Sequence, residues 1–171
     1  FSVALREDTV QPGDTVNLDI SIQLSENAPS AATNGSFSID LDGIISGFAV
    51  DQESLAADDF CGLGSTMSGT SELSVSGLAL DVGSSCSFSV SATIPANALS
   101  GNFTLLSSEL TSTVSSTNVI SPSASDGFTV SGLSFSHSFL TNPILPSSTS
   151  AIQYTISNSA NASTASSIQF S

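Results

Sequence analysis

Few residues of this chain have side chains that could carry out chemistry, and their spacing fits structural roles better than catalysis. Nucleophilic catalysis needs a base beside its nucleophile, and the only histidine is His137. The sequence has no Gly-x-Ser-x-Gly motif and no glycine-rich phosphate loop. The carboxylate pairs Asp40/Asp42 and Asp58/Asp59 belong to an acidic chain, and we interpret them as solvated loop residues. We therefore predict that the chain has no catalytic residues and is not an enzyme.

The two cysteines, Cys61 and Cys86, predict a disulfide. Neither belongs to a Cys-x-x-Cys pair, and a structural zinc site needs four nitrogen or sulfur ligands. Two buried free thiols are the alternative. A bridge that closes a loop of about 25 residues would restrict the unfolded chain by roughly 3 to 3.5 kcal/mol. Because disulfides persist in oxidising compartments, the pair also predicts an extracellular or cell-surface location.

Calcium is the one cofactor that the acidic residues suggest. Extracellular β-sandwich proteins bind Ca²⁺ through loop carboxylates and carbonyls. The candidates are the loop residues Asp51, Glu53, Asp58 and Asp59. No EF-hand pattern fixes a ligand geometry, so a solvated acidic surface without any cofactor is the simpler interpretation.

The charge balance excludes two classes of partner. Arg6 is the only cation against 15 carboxylates, which gives a net charge of −14. Nucleic-acid binding requires cations that replace phosphate counterions, and an anionic membrane surface requires them too. No run of about 18 apolar residues exists that could insert into a membrane. The chain opens on Phe1, which we interpret as a processed chain or a piece of a longer one.

The elements that must position these residues are predicted to be β-strands. Val16 to Leu24 alternates apolar with polar residues, as a half-buried strand does. Similar short runs at Phe37–Leu41, Ile44–Val50 and Cys86–Val90 are separated by turn residues, and Asp51–Gly69 is predicted to be a long loop. Seven to nine such strands predict an all-β, Ig-like antiparallel β-sandwich with almost no helix.

The sequence also contains an internal repeat, because its first 24 residues recur near its end. Residues 1–24 align without gaps on residues 135–158, at an offset of 134. Five positions are identical: Phe1/Phe135, Ser2/Ser136, Pro12/Pro146, Thr15/Thr149 and Ile22/Ile156. Such self-similarity predicts a tandem repeat. We divide the chain into one complete repeat at 1–130, a short linker at 131–134, and the opening strands of an incomplete second copy at 135–171.

Three motifs together resemble the Ig-like "conserved repeat" domains of large bacterial surface and secreted proteins. The first is Cys61-Gly62, which begins a loop, and the second is the later Gly-Ser-Ser-Cys-Ser-Phe segment that contains Cys86. The third is the stretch from Pro95 to Thr104, after which Phe135–Ser147 matches the start of the next repeat, with Ser147 in place of the usual Gly. The resemblance implies a sandwich in a surface stalk or fibre, and it implies no catalytic motif.

The incomplete second copy gives the functional prediction. Two or three strands cannot enclose a core, so their apolar residues must pack on something else. The expected assembly residues are Phe135, Phe139, Ile144, Ile152, Tyr154 and Ile156, with Tyr154 facing inward like Ile20. Further sequence of a longer array or a neighbouring subunit would complete this copy, so the partners are adjacent repeats or other copies of the chain. We predict a structural protein of a stalk, fibre or filament; the alternative is an adhesin or glycan-binding module.

Overall fold

The computed structural model describes residues 1–158 and residue 168, apart from the side chain of Ser134. Its strands are β1 Ser2–Leu5, β2 Thr9–Val10, β3 Thr15–Gln23, β4 Ala32–Asp40, β5 Ala49–Val50, β6 Thr66–Ser68, β7 Glu72–Leu80, β8 Ser85–Thr93, β9 Gly101–Leu106, β10 Leu110–Val114, β11 Thr117–Ser121, β12 Ser125–Val130, β13 Leu133–Phe139 and β14 Ile152–Asn158. The described part contains one four-residue helix, α1 at Leu41–Ile44, and a 3₁₀ turn at Gln52–Ser54. None of the described helices is long and apolar enough to cross a membrane.

Strands β1 to β12 form a β-sandwich, as the alternation predicted. A four-stranded sheet has the order β1-β3-β8-β5, and a five-stranded sheet has the order β11-β10-β4-β7-β6. A smaller sheet, β2-β12-β9, extends the layers. All described strand pairs are antiparallel except β2 with β12. The predicted all-β sandwich fold is therefore confirmed.

The core lies between the sheets and is built from alternate residues of each strand. On β3, Val16, Leu18 and Ile20 are buried, while Thr15 and Gln23 at its ends are exposed. Ile39 on β4, Leu73 on β7 and Val90 on β8 are wholly buried as well. Each such side chain adds roughly 1.5–3 kcal/mol of burial free energy. Hydrophobic burial on both sheets thus fixes which face of every strand points inward.

The segment after β4 differs from the prediction. The strand predicted at Phe37–Leu41 is confirmed up to Asp40 as part of β4, but Leu41–Ile44 forms α1. Of the strand predicted at Ile44–Val50, only Ala49–Val50 is a strand. The Asp40 carboxylate accepts a hydrogen bond from the Gly43 amide at 2.9 Å and caps this helix. The Asp42 carboxylate accepts one from Gly47 at 2.7 Å. These local hydrogen bonds turn the chain where an alternating pattern alone suggests a strand.

The chain enters and leaves the sandwich at opposite ends. Ser2 pairs with Ser21 near the end of β3, so Phe1 lies at that end. Ser131 donates its amide to Val10, and Gly132 lies beside Ser100 and Pro12, just before the beginning of β3. Because β3 has nine residues, the two ends are about 27 Å apart.

Candidate functional site

Strands β13 and β14 form an antiparallel hairpin whose register repeats that of β1 and β3. In the first copy Val3 pairs with Ile20 and Leu5 with Leu18. In the second copy His137 pairs with Tyr154 and Phe139 with Ile152, each partner 134 residues further along. The internal repeat seen in the sequence is therefore also a repeat of strand pairing.

The hairpin has one apolar face and one polar face. Residues that pair across an antiparallel ladder lie on the same face, because side chains alternate along each strand. One face, mainly apolar, carries Leu133, Phe135, His137, Phe139, Ile152, Tyr154 and Ile156, with Asn158 at its end opposite Leu133. The other face carries Ser136, Ser138, Gln153, Thr155 and Ser157. We call the first set the hairpin face.

The hairpin face is exposed, whereas the matching face of the first copy is buried. Leu5, Leu18 and Ile20 are 4%, 0% and 1% exposed. Their counterparts Phe139, Ile152 and Tyr154 are 52%, 43% and 53% exposed. Single exposed apolar residues are ordinary, but a contiguous apolar face marks an interaction surface.

All six predicted assembly residues are exposed in the described structure. Five lie on the hairpin face, and Ile144 lies in the loop that joins the two strands. Tyr154 lies on the face that corresponds to the buried face of Ile20, and the expectation that it points into a core stays a prediction. Its ring stacks on Phe135, with ring centroids 5.8 Å apart. Leu133 belongs to the same face and was missed, because the linker was predicted to run to Ser134 whereas β13 begins at Leu133.

The predicted disulfide joins Cys61 to Cys86, with a Cα–Cα distance of 5.7 Å. It fastens the loop before β6 to β8, next to Ile22 of β3. Phe60 and Phe88 pack edge to face beside it, with centroids 4.9 Å apart. A side chain at Gly62 would come within 2.5 Å of the Ala79 carbonyl oxygen, which explains why glycine follows Cys61. The prediction of a disulfide is confirmed.

The four calcium candidates lie in this loop but do not form a metal site. Asp51 accepts a hydrogen bond from the Glu53 amide, and Asp59 accepts one from the Gly64 amide at 2.6 Å. Glu53 and Asp58 are exposed. Within residues 1–158 and 168, no three His, Cys, Asp or Glu side chains are grouped so that they could hold a metal ion. Of the four, Asp51 and Asp59 therefore stabilise turns of the loop through their carboxylates.

The only cation forms an ion pair on the outer face of the first copy. Arg6 donates two hydrogen bonds to the Asp19 carboxylate, at 2.7 and 3.0 Å. The hydrogen bond from Arg6 lowers the pKa of Asp19 below its ordinary value, and the same contact raises the pKa of Arg6. The second copy has Leu140 and Gln153 at these positions, so the ion pair is not repeated.

Comparison with solved structures identifies the class of fold. One match is a chain of a type I cohesin–dockerin complex from Clostridium thermocellum, with a TM-score of 0.50, 11% identity, and coverage of 75% of this chain and 97% of that chain. Another is a chain of a complex between a CaDoc0917 variant and CaCohA2, with a TM-score of 0.47, 15% identity, and coverage of 75% and 98%. At such identity the first match shows the fold alone: residues of this chain form a cohesin-like β-sandwich.

The chain belongs to the family described as "Domain of unknown function (DUF7933)", whose model matches residues 1–130. These bounds coincide with those of the first repeat in the sequence. The comparisons show this family and not the tandem Ig-like repeat family that the motifs resemble, so that resemblance stays a prediction. No curated protein matches the chain.

Proposed function

We propose that this chain is an extracellular structural protein in which β-sandwich repeats follow one another to build a stalk, fibre or filament on a bacterial surface. The observation that carries the proposal is the hairpin of residues 133–158. It repeats the strand pairing of β1 and β3 at the same offset throughout, with an exposed apolar face where the first copy has its core. A hairpin of this kind opens a second sandwich, which adjacent sequence or a neighbouring subunit completes.

Four further features support an extended assembly outside the cell. The chain enters the first sandwich at one end and leaves it at the other, which favours a linear array of sandwiches over a compact cluster. Only Ser131 and Gly132 separate β12 from β13, which leaves successive sandwiches little freedom. The disulfide suits an oxidising compartment, and a net charge of −14 opposes lateral association of neighbouring fibres. Because the sequence has a single histidine and no catalytic motif, the proposal includes no catalytic role.

Electron microscopy of the native, undenatured protein tests this function. We expect filaments or rods with an axial repeat close to the length of one sandwich. A subunit that bridges its neighbours would give ordered filaments, and a spacer within a long array would give isolated rods. Compact particles no longer than a single sandwich would contradict the proposal. A chain with Phe135→Ser and Tyr154→Ser provides the control, because it should lose the filaments while the sandwich of residues 1–130 stays folded.

An adhesin or binding module is the second candidate, because the hairpin face exposes three adjacent rings. Phe135, His137 and Tyr154 lie within 6.4 Å of one another, centroid to centroid. Exposed aromatic rings are common in recognition surfaces. The Clostridium thermocellum match is a cohesin–dockerin complex, in which those proteins bind each other. A glycan array and a cell-binding assay separate the two functions: binding that Tyr154→Ser abolishes would favour the adhesin, and no binding at high concentration would exclude it.

A further inference from the structure

The two copies of the hairpin differ most at one cross-strand pair. In the first copy this pair is Val3 with Ile20, and in the second it is His137 with Tyr154. Val3 and Ile20 are 3% and 1% exposed, so the first sandwich is closed around two aliphatic side chains. Histidine and tyrosine are larger and carry polar atoms, which a close-packed aliphatic core accepts only with strain and unpaired groups.

Ser150 adds a mismatch of the opposite kind. Its counterpart in the first copy is Val16, which is 1% exposed. A serine there would leave a small cavity and bury a hydroxyl group. Among the other core positions, the changes from Val10 to Ile144 and from Leu18 to Ile152 are mild, whereas the change from Leu5 to Phe139 enlarges an apolar side chain. Polar atoms are introduced at three of the core positions, those of His137, Ser150 and Tyr154.

Interchange of the two hairpins is a physical hazard for this chain. They share a register, a polar outer face and several core residues, and the second begins only three residues after β12 ends at Val130. A tethered segment has an effective concentration in the millimolar range. Tandem repeats characteristically misassemble by exchanging equivalent elements. A sandwich that accepted either hairpin would form mixed and intermolecularly swapped assemblies.

We propose that the His137–Tyr154 pair, together with Ser150, prevents the second hairpin from replacing residues 1–24 in the first sandwich. These residues determine partner specificity: the hairpin face fits a sandwich with space and polar partners opposite the pair, and the first sandwich rejects it. This assignment rests on the tandem repeat proposed above. It adds that successive repeats are distinguished by their cores.

A graft of the pair into the first copy tests the rejection. We expect Val3→His with Ile20→Tyr to lower the melting temperature of the full chain by about 10 °C or more. The matched control is Val10→Ile with Leu18→Ile, which transfers the mild differences and should change the melting temperature by less than about 4 °C. A grafted chain that melts within that same small range would overturn the proposal.

The reverse exchange tests specificity directly. His137→Val, Ser150→Val and Tyr154→Ile give the second hairpin the aliphatic pattern of the first, so it should compete for the first sandwich during refolding. Trypsin reports displacement of residues 1–24, because Arg6 is the only Lys or Arg in the chain and the only cleavage site. After refolding at high concentration, we expect cleavage after Arg6 to be several-fold faster than in the parent, with more dimers in size-exclusion chromatography with light scattering.

The control for this exchange is Ser136→Ala with Thr155→Ala, on the polar face of the same hairpin. Equal cleavage rates for the exchanged chain, this control and the parent would overturn the specificity role. Rods or filaments without rejection of the graft would leave the proposed function standing and refute this inference. A destabilised graft in a protein that forms neither rods nor filaments would support this inference and contradict the proposed function.

Discussion

The first and second copies of the hairpin have the same strand register but opposite degrees of burial. Leu18 is wholly buried, and its counterpart Ile152 is 43% exposed. The pairing of β13 with β14 nevertheless follows that of β1 with β3 residue for residue. Register is thus determined within the hairpin, by its alternation and connecting segment, whereas burial depends on strands that lie elsewhere in the sequence.

The largest difference between the two copies is expected when the side chain at an equivalent core position is truncated in each of them. Leu18→Ala should lower the free energy of unfolding of the sandwich by between roughly 3 and 5 kcal/mol, because it leaves a cavity in a closed core. Ile152→Ala should change it by less than about 0.5 kcal/mol. Denaturant titration followed by circular dichroism measures both. Equal losses would show that the second hairpin is also part of the core.

Loss of the disulfide should lower the stability of the first sandwich and leave the second hairpin unchanged. Cys61→Ala with Cys86→Ala should lower the free energy of unfolding of the sandwich by about 3 kcal/mol, since the bridge closes a 25-residue separation. The chain has no tryptophan and one tyrosine, Tyr154, so tyrosine fluorescence reports on the hairpin alone. We expect this signal to stay unchanged in the absence of denaturant. A changed Tyr154 signal would reveal coupling between the two regions.

Polar substitutions on the hairpin face should change the association of the chain and leave the stability of the sandwich almost unchanged. Phe135→Ser with Phe139→Ser should reduce the binding of an apolar dye and the concentration-dependent association of the chain by several-fold, because the exposed apolar area shrinks. The melting temperature of the sandwich should move by no more than about 2 °C. Ser136→Ala and Ser138→Ala, on the opposite face, are the matched control. Unchanged association would mean that the hairpin face is not the assembly surface.

The smallest expected effect is that of the ion pair present only in the first copy. The pKa of Asp19 is lowered in the folded chain by its hydrogen bonds from Arg6. A lowered folded pKa adds stability above the unfolded value, and this stability is lost as the pH falls through the folded pKa. Asp19→Asn should therefore flatten the acid side of the stability curve slightly, by no more than about 1 °C in melting temperature, since both side chains are exposed. An effect that persists above about 1 M salt would contradict this origin.

The strands whose pattern is local were predictable, and those that depend on distant contacts were not. Val16 to Leu24 alternates so regularly that β3 could be placed almost to the residue. The start of β4 was missed because Asn34-Gly35 resembles a loop, whereas the structure accommodates it as a bulge with a positive φ at Asn34. Strand β11 was not predicted, because the turn before it consists of Ser115 and Ser116, both at positive φ, in place of the usual Asn-Gly.

The position of the proposed assembly surface was predictable from the sequence, but its exposure was not. Repetition of the first 24 residues identified Phe135, Ile152 and Ile156 as core-type residues. It also suggested that Tyr154 points inward, which stays a prediction because an inward direction requires an opposing sheet. The role of the His137–Tyr154 pair emerged only when the register placed the two residues opposite each other. A sequence gives no direct signal for such cross-strand neighbours.

The chain enters the first sandwich at Phe1 and leaves it at Ser131, and the positions of these two residues determine how the sandwich resists a pulling force. Tension between Phe1 and Ser131 would draw β2 and β12, which are parallel neighbours, in opposite directions along their length. Their ladder, with the hydrogen bond from the Leu5 amide to Asp126, would then be loaded in shear, so its bonds share the load and do not open one after another. Once a sandwich yields, the disulfide withholds the 25-residue separation between its cysteines from extension, which shortens the released length by about 80 Å. A tethered array of such units would be stiff at low force and would lengthen in limited steps at high force.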